Sequence, residues 1–383
     1  MRTLGLLNPR SGAGKTMLAF NLGWVLADAG LRVVLVDLDP QAALTELAGA
    51  SLDRSGSIYD ALAPLLDGDQ LGEVSPIALG PALSLIRGHL GMSVLDDALL
   101  LAWTHEVAGS RARSIKAGIH ELILSAGEHA DADVVLCDLG SSLGPLVRSV
   151  VEGIDGTIVP LEPSTAEVVL AALAASLPRW GTSTGGPGKP LVVLGHVLVA
   201  SSGSAELDPK LDSLGTIRRY PGLASMARSS HRPEVDLTVA DGAMGSHLQA
   251  VRDLRTQFEQ TATAIARRID LVDEDLLLDD VGQALLGVLR DEMPSELESL
   301  SSRTTARSVD DVEIEHLAIH GHGLRLRGTV SISVGLEWGG GEARDGVELS
   351  ASFPARFDVQ LDRSREAVTF VHHLEVDTSA WSA

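Results

Sequence analysis

Short, continuous runs of apolar residues alternate with longer segments of helical periodicity through residues 1–270. The runs are Thr3–Leu7, Arg32–Val36, Val134–Cys137, Thr157–Leu161 and Leu191–Val199. The helical segments are about Thr16–Ala29, Ser57–Leu66, Val94–Val107, Ser114–His129, Ala166–Leu177 and Gly245–Arg268. Short apolar runs bounded by turn residues are typical of strands that are buried on both faces of a parallel sheet. The alternation therefore predicts a doubly wound, mostly parallel α/β domain over residues 1–269.

The pattern changes after residue 269. Asp270–Glu298 has one apolar face and is otherwise very acidic, which predicts a helix, and Pro294–Ser308 is rich in Ser and Thr, which is typical of a linker. From Asp310 apolar and polar residues alternate with a period of two. This predicts an acidic helix and linker over 270–308, and a small antiparallel β domain of four or five strands over 309–383. Gly181–Lys189 is expected to be a surface loop, and Gly339–Gly341 and Asp345–Gly346 are expected to be turns.

Composition narrows the possible classes of protein. Cys137 is the only cysteine, so disulfide frameworks and cysteine-based zinc or cluster sites within one chain are excluded. The apolar start of the chain stops at Asn8-Pro9-Arg10 and is too short for a signal peptide, and no apolar run is long enough to span a bilayer. We therefore expect a cytoplasmic protein. Its net charge of −22 opposes DNA binding by the molecule as a whole, but it allows a local basic patch.

The segment between the first strand and the first helix carries the most informative residues. Gly12 and Gly14 allow the backbone to curl so that its N–H groups converge on a polyphosphate. Lys15 reaches the β- and γ-phosphates of such a ligand, and Thr16 offers a hydroxyl to Mg²⁺. Pro9 stands where the strict GxxxxGK[ST] pattern has its first Gly, so a Gly-rich turn that only caps a helix remains an alternative.

Carboxylates follow two other predicted strands. Asp37 and Asp39 end the second strand, and Asp138 ends the strand Val134–Cys137. The carboxyl edge of a parallel sheet is where a phosphate loop also opens, so these side chains are expected to meet the loop there. An acid after an apolar strand suits a Mg²⁺ ligand, directly or through water. Solvated turn carboxylates are the alternative, since strands often end in Asp.

Several motifs together resemble the ParA/MinD class of deviant-Walker P-loop ATPases, and the ParA side of it most closely. They are Arg10–Thr16 (RSGAGKT), Asn21-Leu22-Gly23-Trp24, Val33–Gln41 (VVLVDLDPQ), Asp138–Gly144 (DLGSSLG), Thr157–Pro163 (TIVPLEP) and Ala240–Gly245 (ADGAMG). The similarity covers roughly residues 1–268. No family is apparent in 271–383.

The resemblance implies ATP and Mg²⁺ as ligands and gives roles to particular residues. Lys15, Asp39 and Arg10 are the implied catalytic residues: Asp39 positions the attacking water, and Arg10 crosses to the nucleotide of a second subunit in place of the family's signature lysine. Thr16, Asp138 and Asp37 are the implied metal-site residues. The implied nucleotide-binding residues are Ser11, Gly12, Ala13, Gly14, Lys15, Thr16 and Asp37.

The function implied is a weak, Mg²⁺-dependent ATPase whose ATP-sandwiched homodimer positions or partitions cargo (DNA or a protein assembly) or regulates a neighbouring system. Arg10, Ser11 and Leu139-Gly140 depart from the family pattern. The alternative is therefore a nucleotide-binding scaffold or sensor with negligible ATP turnover, whose β domain binds a protein partner.

Partners other than a second copy follow from charge. Residues 215–268 hold eight arginines and are net positive, which suggests non-specific DNA binding, and solvated or paired arginines are the alternative. The candidates for DNA contact are Arg218, Arg219, Arg228, Arg252 and Arg255. The acidic helix has the wrong sign for anionic lipid, so no membrane attachment is expected. A protein partner is expected for the β domain. This domain also contains His316, His320, His322, His372 and His373. We expect them either on exposed strand faces or at a metal site.

Overall fold

The computed structural model describes residues 1–104, 109–180, 192–200, 212–271, 274–338, 347–362 and 367–381. The chain divides into two compact units, Met1–Leu271 and Val272–Ala383. The predicted loop Gly181–Lys189 and the predicted turns Gly339–Gly341 and Asp345–Gly346 lie outside the described residues. No helix within the described ranges is long and apolar enough to cross a membrane.

The first unit is built on an eight-stranded sheet in the order β3-β4-β2-β5-β1-β6-β7-β8. Its strands are β1 Arg2–Leu6, β2 Val33–Asp37, β3 Ile77–Gly80, β4 Leu83–Ile86, β5 Val134–Asp138, β6 Gly156–Leu161, β7 Val193–Ala200 and β8 Ser213–Arg218. All neighbours pair in parallel except the edge strand β3, which runs antiparallel to β4. Every residue of β2, β5 and β6 is buried, as strands covered on both faces require. The predicted mostly parallel α/β fold is confirmed.

Helices cover the sheet. They are α1 Lys15–Asp28, α2 Ala43–Leu47, α3 Ile58–Leu62, α4 Pro64–Asp67, α5 Met92–Thr104, α6 Gly109–His129, α7 Pro145–Val151, α8 Ala166–Trp180, α9 Pro221–Ser230 and α10 Ser246–Arg268. The single helix predicted over Ser57–Leu66 is wrong, because it is two short helices. Pro64 has no N–H to continue α3, and it occupies the first turn of α4 instead.

The second unit is a four-stranded antiparallel sheet in the order β12-β11-β10-β9, with helices at its start. Its elements are α11 Glu274–Asp291, α12 Ser295–Glu298, β9 Arg303–His320, β10 Gly323–Trp338, β11 Val347–Asp362 and β12 Ala367–Val376. Leu324, Leu326 and Ile332 alternate with polar residues along β10 and are fully buried. α11 packs against β9 and β12 and buries Val281 and Leu285 completely. The predicted small antiparallel β domain is confirmed.

The linker predicted over Pro294–Ser308 is wrong for its second half. β9 begins at Arg303, with Thr304 opposite Leu336 and Ala306 opposite Val334. β9 is an edge strand whose Ser and Thr residues pair through the backbone, so a polar composition does not prevent it from being a strand.

The sheet also separates the histidines of this unit. His316 and His320 lie on β9, whereas His372 and His373 lie on β12, and these two strands are the opposite edges of the sheet. Among the residues that the structure describes, no group of three His, Cys, Asp or Glu side chains could hold a metal ion.

Candidate functional site

The Gly-rich loop between β1 and α1 adopts the curled backbone that the sequence predicts. Gly12 and Gly14 have φ angles of 77° and 94°, in the left-handed region that glycine reaches without strain. Gly14 directly precedes Lys15, the first residue of α1. The loop therefore lies at the N-terminal end of α1, where free backbone N–H groups and the helix dipole favour a phosphate.

Lys15 is held at the base of this loop and is only 5% exposed. Its Nζ donates to the carbonyl of Asn8 at 2.9 Å, to Ser141 Oγ at 2.8 Å and to the carbonyl of Arg10 at 3.2 Å. Burial lowers the pKa of Lys15, and the negative charges of Asp138 and Asp39 oppose that shift. The ammonium group is thus poised where its charge is poorly solvated, and an anionic ligand would stabilise it.

Asn8 and Ser141 are site residues that sequence reasoning missed. Asn8 Nδ2 donates to the carbonyl of Pro160 at 2.6 Å, and its Oδ1 accepts the N–H of Arg10 at 2.8 Å. Asn8 thus ties the loop to the end of β6. Asn8 lies two residues before the motif Arg10–Thr16, and Ser141 lies inside the motif Asp138–Gly144, so their positions just after β1 and β5 were the available signal.

Thr16, Asp138 and Asp37 come together below the loop. Thr16 Oγ1 donates to Asp138 Oδ2 at 2.7 Å, and the buried Asp138 Oδ1 has no hydrogen-bond partner among the residues that the structure describes. Asp37 lies opposite Asp138 in the register of β2 and β5. Burial, and then the charge of Asp37, raise the pKa of Asp138 to about 8.

Asp37 is also tied to α2, because its Oδ2 accepts from the N–H of Thr45 at 2.8 Å and from its hydroxyl at 2.7 Å. Burial raises the pKa of Asp37 to about 6 despite these hydrogen bonds. Two buried carboxylates and a hydroxyl are hard oxygen donors, and a divalent cation would relieve the repulsion between them. These residues therefore fit a Mg²⁺ site.

The loop opens into a cavity of about 690 Å³, which is large enough for a nucleotide-sized ligand. Ser11, Gly12, Ala13, Gly14 and Lys15 form one wall together with Thr16. Asp39 lines the cavity, and its Oδ1 accepts the N–H of Gln41 at 2.9 Å. The other walls come from α2 and from residues 219–234.

Arg10 lies at the rim of the loop with an exposed side chain. Its guanidinium makes no hydrogen bond or ion pair with any residue that the structure describes.

The arginines suggested for DNA have different environments. Arg219 contacts the Gly12 carbonyl and Glu162. Arg255 is paired with Asp28 at 2.7 Å and with Glu259 at 3.2 Å. Arg219 and Arg255 thus already have partners within the chain, which net positive charge along the sequence does not reveal, and their contact with DNA stays a prediction. Arg218, Arg228 and Arg252 are exposed, and Arg228 also lines the cavity.

A comparison with known protein families agrees with this geometry. The family model described as the CobQ/CobB/MinD/ParA nucleotide binding domain matches residues 4–294. The chain belongs to this family. The resemblance that the loop and carboxylate motifs indicated is thereby confirmed.

Two curated relatives lie on the ParA side of this nucleotide-binding family. The chain is 32% identical over 163 residues to "Chromosome-partitioning ATPase Soj" of Thermus thermophilus, covering 42% of this chain and 55% of that protein. It is 30% identical over 166 residues to "Chromosome partitioning protein ParA" of Caulobacter vibrioides, covering 42% of this chain and 56% of that protein. The chain thus spans little more than half the length of these curated relatives.

The solved structure of another protein shares the fold of this chain. It is the ATP complex of a McdA variant from Cyanothece, at 17% identity and a TM-score of 0.52, covering 71% of this chain and 98% of that chain. A second family model, described as "Predicted pPIWI-associating nuclease", matches residues 269–382. It covers the part of the chain for which no family was apparent from the sequence.

Proposed function

We propose that the chain is an ATP- and Mg²⁺-dependent ATPase in which bound nucleotide joins two copies and hydrolysis separates them. The observation that carries this proposal is the arrangement of Lys15, Thr16 and Asp138 at the base of a glycine loop that opens into a nucleotide-sized cavity. Membership of a nucleotide-binding family and the names of the ParA and Soj relatives support it.

Mg²⁺ would be held by Thr16 and Asp138, with Asp37 behind them. When bound, the ion would neutralise phosphate charge during phosphoryl transfer. The unpartnered Asp138 Oδ1 supports this assignment, because a buried carboxylate oxygen without a hydrogen bond is costly unless a ligand satisfies it. Asp37 adds a second buried carboxylate beside Asp138 and accepts a hydrogen bond from Thr45 of α2.

Lys15, Asp39 and Arg10 would carry the remaining chemistry. Lys15 would bind the terminal phosphates, and Asp39 would orient a water molecule for in-line attack. Arg10 would reach the nucleotide of a second copy and offset charge in the transition state. The exposed Arg10 guanidinium, which has no partner among the described residues, supports a role outside its own chain.

A phosphate-release assay tests the catalytic part of this proposal. We expect slow ATP turnover by the wild type. In Asp39→Ala the turnover rate should fall roughly 100-fold or more, as is typical when a side chain that positions the attacking water or accepts its proton is removed. Asp53→Ala, which removes an exposed carboxylate on a nearby loop, is the control and should match the wild type. Equal turnover by Asp39→Ala and the wild type would contradict the role of Asp39.

The second candidate function is a nucleotide-binding scaffold with negligible turnover. Arginine at position 10, serine at position 11 and Leu139-Gly140 after the metal-site acid favour it, since all depart from the family's motifs. Nucleotide binding with no phosphate release above that of Asp39→Ala would select this candidate over the first.

The names of the partitioning relatives support cargo positioning as the role of the switch, with non-specific DNA as one partner. The exposed Arg252 is the contact that we propose for DNA. Arg252→Ala should weaken binding to any duplex and lower the log–log salt slope by about one. An unchanged slope would remove Arg252 from the interface. For the C-terminal unit we propose binding of a protein partner.

A further inference from the structure

Arg219 is placed against the phosphate loop by the strand that precedes it. It directly follows β8, and its backbone N–H donates to the carbonyl of Ala200, at the end of β7, at 2.7 Å. Its Nη2 donates to the carbonyl of Gly12, and its Nη1 lies 2.7 Å from Glu162 Oε1. A Cβ built on Gly14 would be 3.4 Å from Nη2. The guanidinium therefore lies beside both glycines of the loop.

The neighbouring arginine has a different environment. Arg218 lies over the ring of Tyr220, with 5.1 Å from its guanidinium carbon to the ring centroid, and its side chain is exposed. Arg218 is not among the residues that line the cavity, whereas Arg219 is. The two residues have the same charge and adjacent positions, so they form a matched pair in which only one faces the loop.

Glu162 balances the charge of Arg219. It directly follows β6, the strand whose Pro160 carbonyl receives the hydrogen bond from Asn8. The side chains of Arg219 and Glu162 are 30% and 31% exposed, so solvent reaches both. An ion pair of this exposure is weak, and a polyphosphate with several negative charges can displace it.

We propose that Arg219 binds the phosphate oxygens of the nucleotide held by its own chain, and that Glu162 restrains this arginine until the nucleotide arrives. A guanidinium has five N–H donors in a planar fork, so Arg219 can turn from Gly12 and Glu162 toward phosphate. The residue thus acts from the same subunit, in contrast to Arg10. This inference rests on the proposed nucleotide-binding function and adds a phosphate contact outside the glycine loop.

The test is calorimetric titration of the full-length chain with Mg-ATP, in the wild type, Arg219→Gln, Arg218→Gln and Glu162→Gln. Arg219→Gln should weaken binding roughly 10- to 100-fold, the effect of losing one charged hydrogen bond to phosphate. Arg218→Gln should bind as the wild type does. Glu162→Gln should bind several-fold more tightly, because it frees the guanidinium and removes a negative charge beside the phosphates.

The expected changes in affinity are opposite for Arg219→Gln and Glu162→Gln, which distinguishes a phosphate contact by Arg219 from a purely structural role. If Arg219 and Glu162 only held the loop in shape, both variants would bind more weakly, and that result overturns the inference. Equal affinity of Arg219→Gln and the wild type also overturns it while leaving the proposed function intact. A wild type that binds no nucleotide would end both proposals. Arg219→Lys, which keeps the charge but loses the fork, should bind with intermediate affinity and covers the case in which Arg219→Gln does not fold.

Discussion

At the scale of single residues, the first unit concentrates buried charge around one cavity. Lys15, Asp37, Asp138 and Glu234 are all less than 9% exposed. Burial is the largest cause of the pKa shift at each of them. Such groups destabilise an empty protein and are stabilised by ligands of the opposite charge, which is why perturbed groups cluster at functional sites.

Glu234 offers a test of how far a buried charged group destabilises the empty protein, since it lines the cavity without being a metal-site residue. Burial raises its pKa to about 7 from 4.5, partly offset by Arg228 and Arg219. The folded state then binds a proton more tightly than the unfolded state, so stability falls as the pH rises from about 4.5 to 7. We expect Glu234→Gln to gain up to about 3 kcal/mol over the wild type between pH 4.5 and 8. Chemical denaturation of both proteins at several pH values measures this difference in the free energy of unfolding. A difference that does not change with pH would contradict the raised pKa of Glu234.

At the scale of elements, the sequence predicted most strands well and missed a few. β1, β2, β5 and β6 are short, mostly apolar runs, and their predicted ends lie within a residue or two of the observed ones. β8 was missed because it is an edge strand, SLGTIR, in which only two of six residues are buried and one is a glycine. Without β8, Arg219 could not be recognised as a strand-end residue beside the loop. The carboxylates at the ends of β2 and β5 could be recognised as strand-end residues, because those strands were predicted.

β9 shows a second limit of sequence reasoning. Its Ser and Thr residues fit a linker equally well by composition, and only pairing with β10 makes them a strand. The contacts of Asn8 and Ser141 with Lys15 also depend on how the ends of β1 and β5 meet the start of α1. Composition and periodicity describe one element at a time, so they cannot predict such contacts.

Pairing between β9 and β10 depends on Gly328, which lies at a register shift in β10. A Cβ built there would be 1.8 Å from the Glu313 carbonyl oxygen and 3.0 Å from Phe357 Cζ. Because the closer contact is to backbone, no side-chain rotation can relieve it. Gly328→Ala should lower the free energy of unfolding of the second unit by about 3 kcal/mol or more.

The control for Gly328→Ala is Gly287→Ala in α11. A Cβ on Gly287 meets nothing within 4 Å, so this substitution should stabilise the same unit by about 0.5–1 kcal/mol through helix propensity. Scanning calorimetry of the full chain measures both. If the two alanine variants were equally stable, the β9–β10 register would be wrong.

At the scale of the whole molecule, the chain joins a nucleotide-binding unit to a unit with its own sheet and core. We expect two thermal unfolding transitions. Mg-ATP should raise the midpoint temperature of the transition from the first unit and leave the other unchanged. A ligand at 100 times its dissociation constant stabilises by about 2.7 kcal/mol, which corresponds to a shift of roughly 5 °C for a unit of this size. Lys15→Ala should abolish the shift. A shift of both transitions, or one that persists in Lys15→Ala, would contradict this account.

The most direct test of the central claim is the molar mass of the full chain by size-exclusion chromatography with light scattering. The wild type, Asp39→Ala and Arg10→Ala would each be measured with Mg-ATP and with Mg-ADP. We predict a monomer with ADP for all three, and a dimer with ATP that accumulates in Asp39→Ala and is lost in Arg10→Ala. A molar mass that is the same with ATP, with ADP and without nucleotide would contradict the claim that nucleotide joins two copies.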